Sequence, residues 1–222
     1  MYKSLVYKEW IKTRSVIGVL FLIFLGVGIY SFMHISADIR LLGLVNLWEE
    51  AIQKDPAMFP YFKYLPLLAG VLLAITQYVP ELQFKRLKLT LHLPLKDDTI
   101  VLTMLLYGFG VVLLLSFVTL ALLLLGLSRR FPAEIVGTTF QQLLPWFLAG
   151  PAAYLIASWI CLEPQWKQRI LNIIPGIIAL SFFFLRAKSG AYQPFDPYLT
   201  GLVIVAFSFA FYSTTRFKEG IQ

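Results

Sequence analysis

Six long apolar runs, separated by shorter polar stretches, set the pattern of this chain. The runs at 16–33, 65–78, 99–127, 140–162, 170–185 and 198–215 predict six membrane-spanning helices. The second is short unless 61–64 extend it, and it carries Pro66 near its start. The third has 29 residues without a charge. At ~1.5 Å per residue it exceeds a hydrocarbon core of ~30 Å, so it tilts or projects from the membrane. Pro145 and the pair Gly150-Pro151 predict a kink in the fourth. The fifth is interrupted by Asn172 and Pro175-Gly176.

The polar stretches are organised too. Residues 1–15 set Lys3, Lys8, Lys12 and Arg14 among Tyr2, Leu5, Val6, Trp10 and Ile11, which predicts an amphipathic helix lying in the membrane interface with its bases toward anionic headgroups. The run at 16–33 is expected to stay as a span rather than be cleaved as a signal, because it is long and no A-x-A-like site follows. Between 36 and 64, Leu41, Leu44, Val45, Trp48 and Ile52 recur at helical spacing opposite Arg40, Glu49, Glu50 and Gln53. A helix resting on the membrane face, ended by Asp55-Pro56, is the expectation. Residues 128–139 read as a short turn and 163–169 as a tight polar loop, and 186–197 is rich in proline and aromatics.

The most polar long segment is 81–98, between the second and third runs. Leu87, Leu89, Leu91, Leu93 and Leu95 alternate with polar residues or proline, as in a strand. Glu81, Lys85, Lys88 and His92 also form one polar stripe of a helix, with Phe84, Leu87 and Leu91 as an apolar one. The helix to about His92 is preferred, since a lone strand between two spans leaves its backbone unpaired. Pro94 then ends it, and Asp97 or Asp98 caps the next helix.

Composition agrees with this pattern. Hydrophobic residues make up 59% and charged ones 14%, with a mean hydropathy of +0.75, so residues 1–222 read as a single all-α transmembrane domain. Six spans place both termini on one side, together with 81–98 and 163–169. That side holds 12 of the 19 basic residues. The positive-inside bias therefore puts both termini and 81–98 in the cytoplasm, in a multi-pass cell-membrane protein whose 37–59 and 186–197 face outward. Trp10, Trp48, Trp146, Trp159 and Trp166 fall at predicted span ends and read as membrane-interface anchors.

Much chemistry is excluded. No Asp, Glu, Lys or Arg lies within the six runs, which argues against an ion-coupled carrier and against paired-aspartate proteolysis in the membrane. His34 and His92 fall on opposite faces, and Cys161 is the sole cysteine, so neither a metal site nor an internal disulfide is expected. There is no phosphate-binding G-x-x-x-x-G-K-[ST] loop. The chain is therefore expected to be no enzyme and to hold no cofactor. Thr76, Gln77, Asn172 and Ser181 read as hydrogen-bonding between helices before they read as lining a path. Gly108, Gly110 and Gly176 read as close-packing points.

A cytoplasmic interface helix, six spans and a charged loop between the second and third resemble the ABC type-2 exporter permease family. In that family's first cytoplasmic loop a glutamate, a Gly-Thr pair, leucines and then a proline precede span three. Glu81, Leu87, Leu89, Leu91 and Pro94 match, while Lys85 and Arg86 stand in place of the Gly-Thr pair. The resemblance implies a permease subunit exporting a lipid-like molecule, peptide or glycan. It would pair with a second permease chain, identical or not, among membrane lipids, and bind no nucleic acid. Separate cytoplasmic ATPase subunits would bind ATP and Mg²⁺. Residues Glu81, Phe84, Lys85, Arg86, Leu87, Lys88 and Leu91 would form the ATPase-coupling helix. The alternative reading is a membrane scaffold that recruits a cytoplasmic protein and transports nothing.

Overall fold

The computed structural model describes residues 2–43, 57–83, 97–163, 165–185, 191–192 and 194–218. All regular structure among them is helical. The helices are α1 (Tyr2–Leu42), α2 (Leu65–Gln83), α3 (Asp97–Ser128), α4 (Ala133–Leu162), α5 (Trp166–Ser181) and α6 (Asp196–Lys218). Single 3₁₀ turns at Pro60–Phe62 and Phe182–Phe184 precede α2 and follow α5. Helices α1 to α4, and α5 together with the 3₁₀ turn that follows it, are long and apolar enough to cross a membrane, while the apolar stretch of α6, Asp196–Tyr212, is shorter. The described residues are thus all-helical, with five candidate membrane spans that mark a membrane protein.

The first helix departs from the expectation. The interface helix at 1–15 and the span at 16–33 are one continuous helix of 41 residues, about 60 Å long and twice the thickness of a hydrocarbon core. Nothing between Thr13 and Val16 breaks it, and its buried stripe passes straight through: Leu5, Glu9, Thr13, Leu20 and Phe24 recur at helical spacing on one face. The helix stops at Gly43, whose φ of +79° is the left-handed conformation that ends helices. There the Gly43 N–H returns to the carbonyl of Ile39 at 3.0 Å. The helix expected on the membrane face falls largely within 44–56, and the coupling helix expected from Glu81 to His92 lies within 84–92 beyond its first three residues, which belong to α2. Residues 44–56 and 84–92 lie outside the described residues.

Most of the remaining boundaries move outward from the apolar runs, although α2 begins at Leu65 as expected and α5 ends at Ser181, short of 185. Helix α2 continues past residue 78 and through Pro80, and α4 begins at Ala133 rather than 140. Apolarity marks what lies in lipid, while backbone hydrogen bonding carries a helix a further turn or two into the polar margin. Helix α4 runs unbroken through Pro145 and Pro151.

Helix α4 is the axis of the bundle. Of the most apolar 18 residues in each helix, 72% are buried in α4 and only 17% in α1 and in α5. Helix α2 reaches α4 because both carry glycine at the crossing. A Cβ on Gly70 would collide with the Gly150 carbonyl, and one on Gly150 would crowd Pro66, so the two backbones touch. Two apolar clusters fix the antiparallel order. One joins Leu5, Tyr78, Ile100, Leu162 and Ala210; the other joins Ile35, Phe59, Leu127, Phe131 and Ile135. The start of α1 therefore lies at the same end as the ends of α2, α4 and α6 and the start of α3.

Candidate functional site

At that end, charged side chains enter the protein. Glu9 is 1% exposed and Glu81 2%. The 4-residue spacing from Leu5 through Glu9 to Thr13 puts the carboxylate on the face of α1 that packs on the bundle. Glu81 comes from the last turn of α2, immediately after Pro80.

Two lysines of α1 close the cluster. Lys8 Nζ lies 3.0 Å from Glu81 Oε1, and Lys12 Nζ donates to the same oxygen at 3.1 Å. Lys12 Nζ also stands 2.8 Å from Glu9 Oε2, and Lys8 Nζ 4.0 Å from Glu9 Oε1. Two ammonium groups thus balance two carboxylates across the α1–α2 contact. The balance is not matched by hydrogen bonding: among the described residues, none donates a well-aligned hydrogen bond to either Glu9 oxygen or to Glu81 Oε2. Lys12 meets Glu9 as a close ion pair.

Behind the charges a polar network runs into the bundle. The hydroxyls of Thr13 and Tyr107 lie 2.8 Å apart, joining α1 to α3, and Thr13 also donates to the Glu9 carbonyl. Gln77 Nε2 donates to the Met104 carbonyl at 2.9 Å, and the Tyr154 hydroxyl donates to Gln77 Oε1 at 2.8 Å. The Tyr78 and Tyr154 hydroxyls are 3.1 Å apart. Gly108 leaves the room for this: a Cβ there would overlap the Tyr154 hydroxyl and Gln77 Oε1. Helices α2, α3 and α4 are therefore pinned together by satisfied side chains, which fixes the floor on which the ion cluster sits.

The sequence expectations divide against this geometry. Of the predicted coupling residues only Glu81 lies among the described ones, and its carboxylate faces α1 instead of pointing outward. Phe84, Lys85, Arg86, Leu87, Lys88 and Leu91 lie outside the described residues, as does Trp48. Trp10 and Trp166 are exposed near helix ends, and Trp159 packs on Phe209 with ring centroids 5.4 Å apart. Trp146 corrects the list of interface anchors. It is 1% exposed in the middle of α4 and belongs to the core, because α4 begins a full two turns before the apolar run did.

Gln77 hydrogen-bonds between helices as expected. Thr76 and Ser181 instead donate to carbonyls of their own helices, and Asn172 accepts from Gln168 one turn earlier. Gly108 and Gly176 are close-packing points, whereas Gly110 faces open space. Glu9 was missed because it lies among four bases in a segment read by composition. Its place four residues after Leu5 and four before Thr13, in register with Leu20 and Phe24, was the signal available. No protein-family model, curated protein or solved structure matches the chain.

Proposed function

We propose that this chain is the transmembrane permease subunit of an ATP-driven exporter, working with separate cytoplasmic ATPase subunits and a second permease chain. One observation supports the reading best. Glu81, which opens the proposed coupling segment in the sequence, is fastened to α1 by Lys8 and Lys12. A push on that segment by a partner reaches α1 and α2 together, and Thr13 and Tyr107 pass it to α3. A loop that serves only as a topology signal has no need of a rigid root. In this reading the ATPase binds ATP and Mg²⁺, and the cluster end of the bundle is cytoplasmic. The cargo is a lipid-like molecule, peptide or glycan.

Co-purification tests the proposal. Phe84, Leu87 and Leu91 are taken to fill a groove of the ATPase, with Lys85, Arg86 and Lys88 at its rim. Leu87→Asp places an unpaired carboxylate in that groove and weakens association by roughly 30- to 1000-fold, or ~2–4 kcal/mol. Lys85→Gln/Lys88→Gln weakens it less, because rim charges contribute less than buried anchors. Full retention of the ATPase by Leu87→Asp removes the loop as coupling element. Recovery of a protein without a P-loop favours the scaffold reading.

A further inference from the structure

The ion cluster holds more charge than fastening α1 to α2 requires. Lys8 and Glu81, 3.0 Å apart, already join the two helices. Lys12 adds a second ammonium on the same Glu81 oxygen. Among the described residues Glu9 adds no ion pair between helices, since its charge contacts are with Lys8 and Lys12 of its own helix. What it adds is a second buried carboxylate. Lys12 Nζ is 2.8 Å from Glu9 Oε2 and 3.1 Å from Glu81 Oε1, so those two oxygens are less than about 6 Å apart. Both Glu9 oxygens are buried, and no described residue gives either a well-aligned hydrogen bond. Removing a carboxylate from water is costly, and here the offset comes from the charge of the lysines, chiefly Lys12.

We infer that Glu9 is a positioning residue that keeps the α1–α2 joint able to open. It draws Lys12 partly off Glu81 and repels the Glu81 carboxylate, so the two lysines cannot lock onto Glu81 alone. Taking its charge away leaves Lys8 and Lys12 both on Glu81. The surplus positive charge is then relieved toward water, since the side chain of Lys8 is 36% exposed and that of Lys12 16%. The joint tightens and the protein gains stability, at the expense of the motion that the loop is proposed to drive. The inference deepens the permease reading and rests on it only for the purpose of that motion.

The test uses the full chain in phospholipid nanodiscs, without any ATPase. Spin labels at Trp10→Cys on α1 and Ile75→Cys on α2, in a Cys161→Ser background, report the width of the α1–α2 distance distribution, and unfolding gives Tm. Glu9→Gln is expected to raise Tm by about 3 °C and to narrow the distribution about twofold, while Glu81→Gln lowers Tm and broadens it. A second variant, Glu9→Gln/Lys12→Met, keeps one lysine on one carboxylate and is expected to match or exceed the wild-type Tm with the narrow distribution. A fall in Tm for both Glu9 variants, or an unchanged width in both, overturns the inference and makes Glu9 a structural member of the cluster. Neither readout involves a partner, so a failed joint and a failed co-purification are separate results.

Discussion

Lys12 and Glu81 are 69 positions apart in the chain, yet the Lys12 ammonium donates to Glu81 Oε1 at 3.1 Å. The bond closes the bundle at one end. It also anchors the last turn of α2, because Glu81 is the last residue of that helix but two. Breaking a buried pair costs more than forming it contributes, since the survivor stays out of water.

The two lysines back each other up, and their substitutions are therefore not additive. Lys12→Met alone costs about 1–2 kcal/mol, because Lys8 still reaches Glu81. Lys8→Met costs less, since exposure screens its charge. Lys8→Met/Lys12→Met strands both carboxylates and costs about 3–5 kcal/mol. Reversible unfolding in mixed detergent micelles measures all three. Additive losses contradict the shared role.

The glycines sort by what surrounds them. Gly70→Ala drives a methyl into the Gly150 carbonyl and costs about 2–4 kcal/mol, and Gly108→Ala, facing the Tyr154 hydroxyl, about 1–3 kcal/mol. Gly18→Ala and Gly110→Ala face open space and are neutral or slightly stabilising. The same unfolding measurement ranks them.

The tryptophans separate core from margin. Trp146→Ala empties a fully buried site beside Phe147 and costs about 3–5 kcal/mol. Trp166→Ala changes a side chain that is 69% exposed and moves stability by less than about 0.5 kcal/mol. Equal losses are the result that contradicts this division.

The length of the apolar runs revealed the helices, because a segment that crosses lipid must be apolar over about 20 residues. It placed α3 to within two residues at each end. It could not show that α1 is continuous, because a basic amphipathic segment reads the same whether it lies on a membrane or packs on a bundle. The cluster was legible only in part. Glu81 stood out by its position before the polar loop, whereas its partner bases were assigned to headgroups. Pairing over 69 residues is a property of packing, with no local signature in the sequence. Tyr154 and Gln77 were hidden for the same reason, since each meets its partner only after α2, α3 and α4 dock.

The assignment of sides is tested by labelling. Single cysteines at Gln53 and Gln83, in a Cys161→Ser background, are exposed to an impermeant thiol reagent on intact cells. Labelling at 53 and protection at 83 are expected from the bias of basic residues. Labelling at 83 with protection at 53 reverses the topology and takes the coupling assignment with it.

ATP hydrolysis in proteoliposomes tests the central proposal most directly. The chain is reconstituted alone, and together with the P-loop ATPase that co-purifies with it. The predicted result is no hydrolysis by the chain alone, hydrolysis by the pair that differs at least severalfold from that of the free ATPase, and loss of this difference in Leu87→Asp. Recovery of no P-loop ATPase, or hydrolysis indifferent to the presence of the chain, contradicts the permease reading.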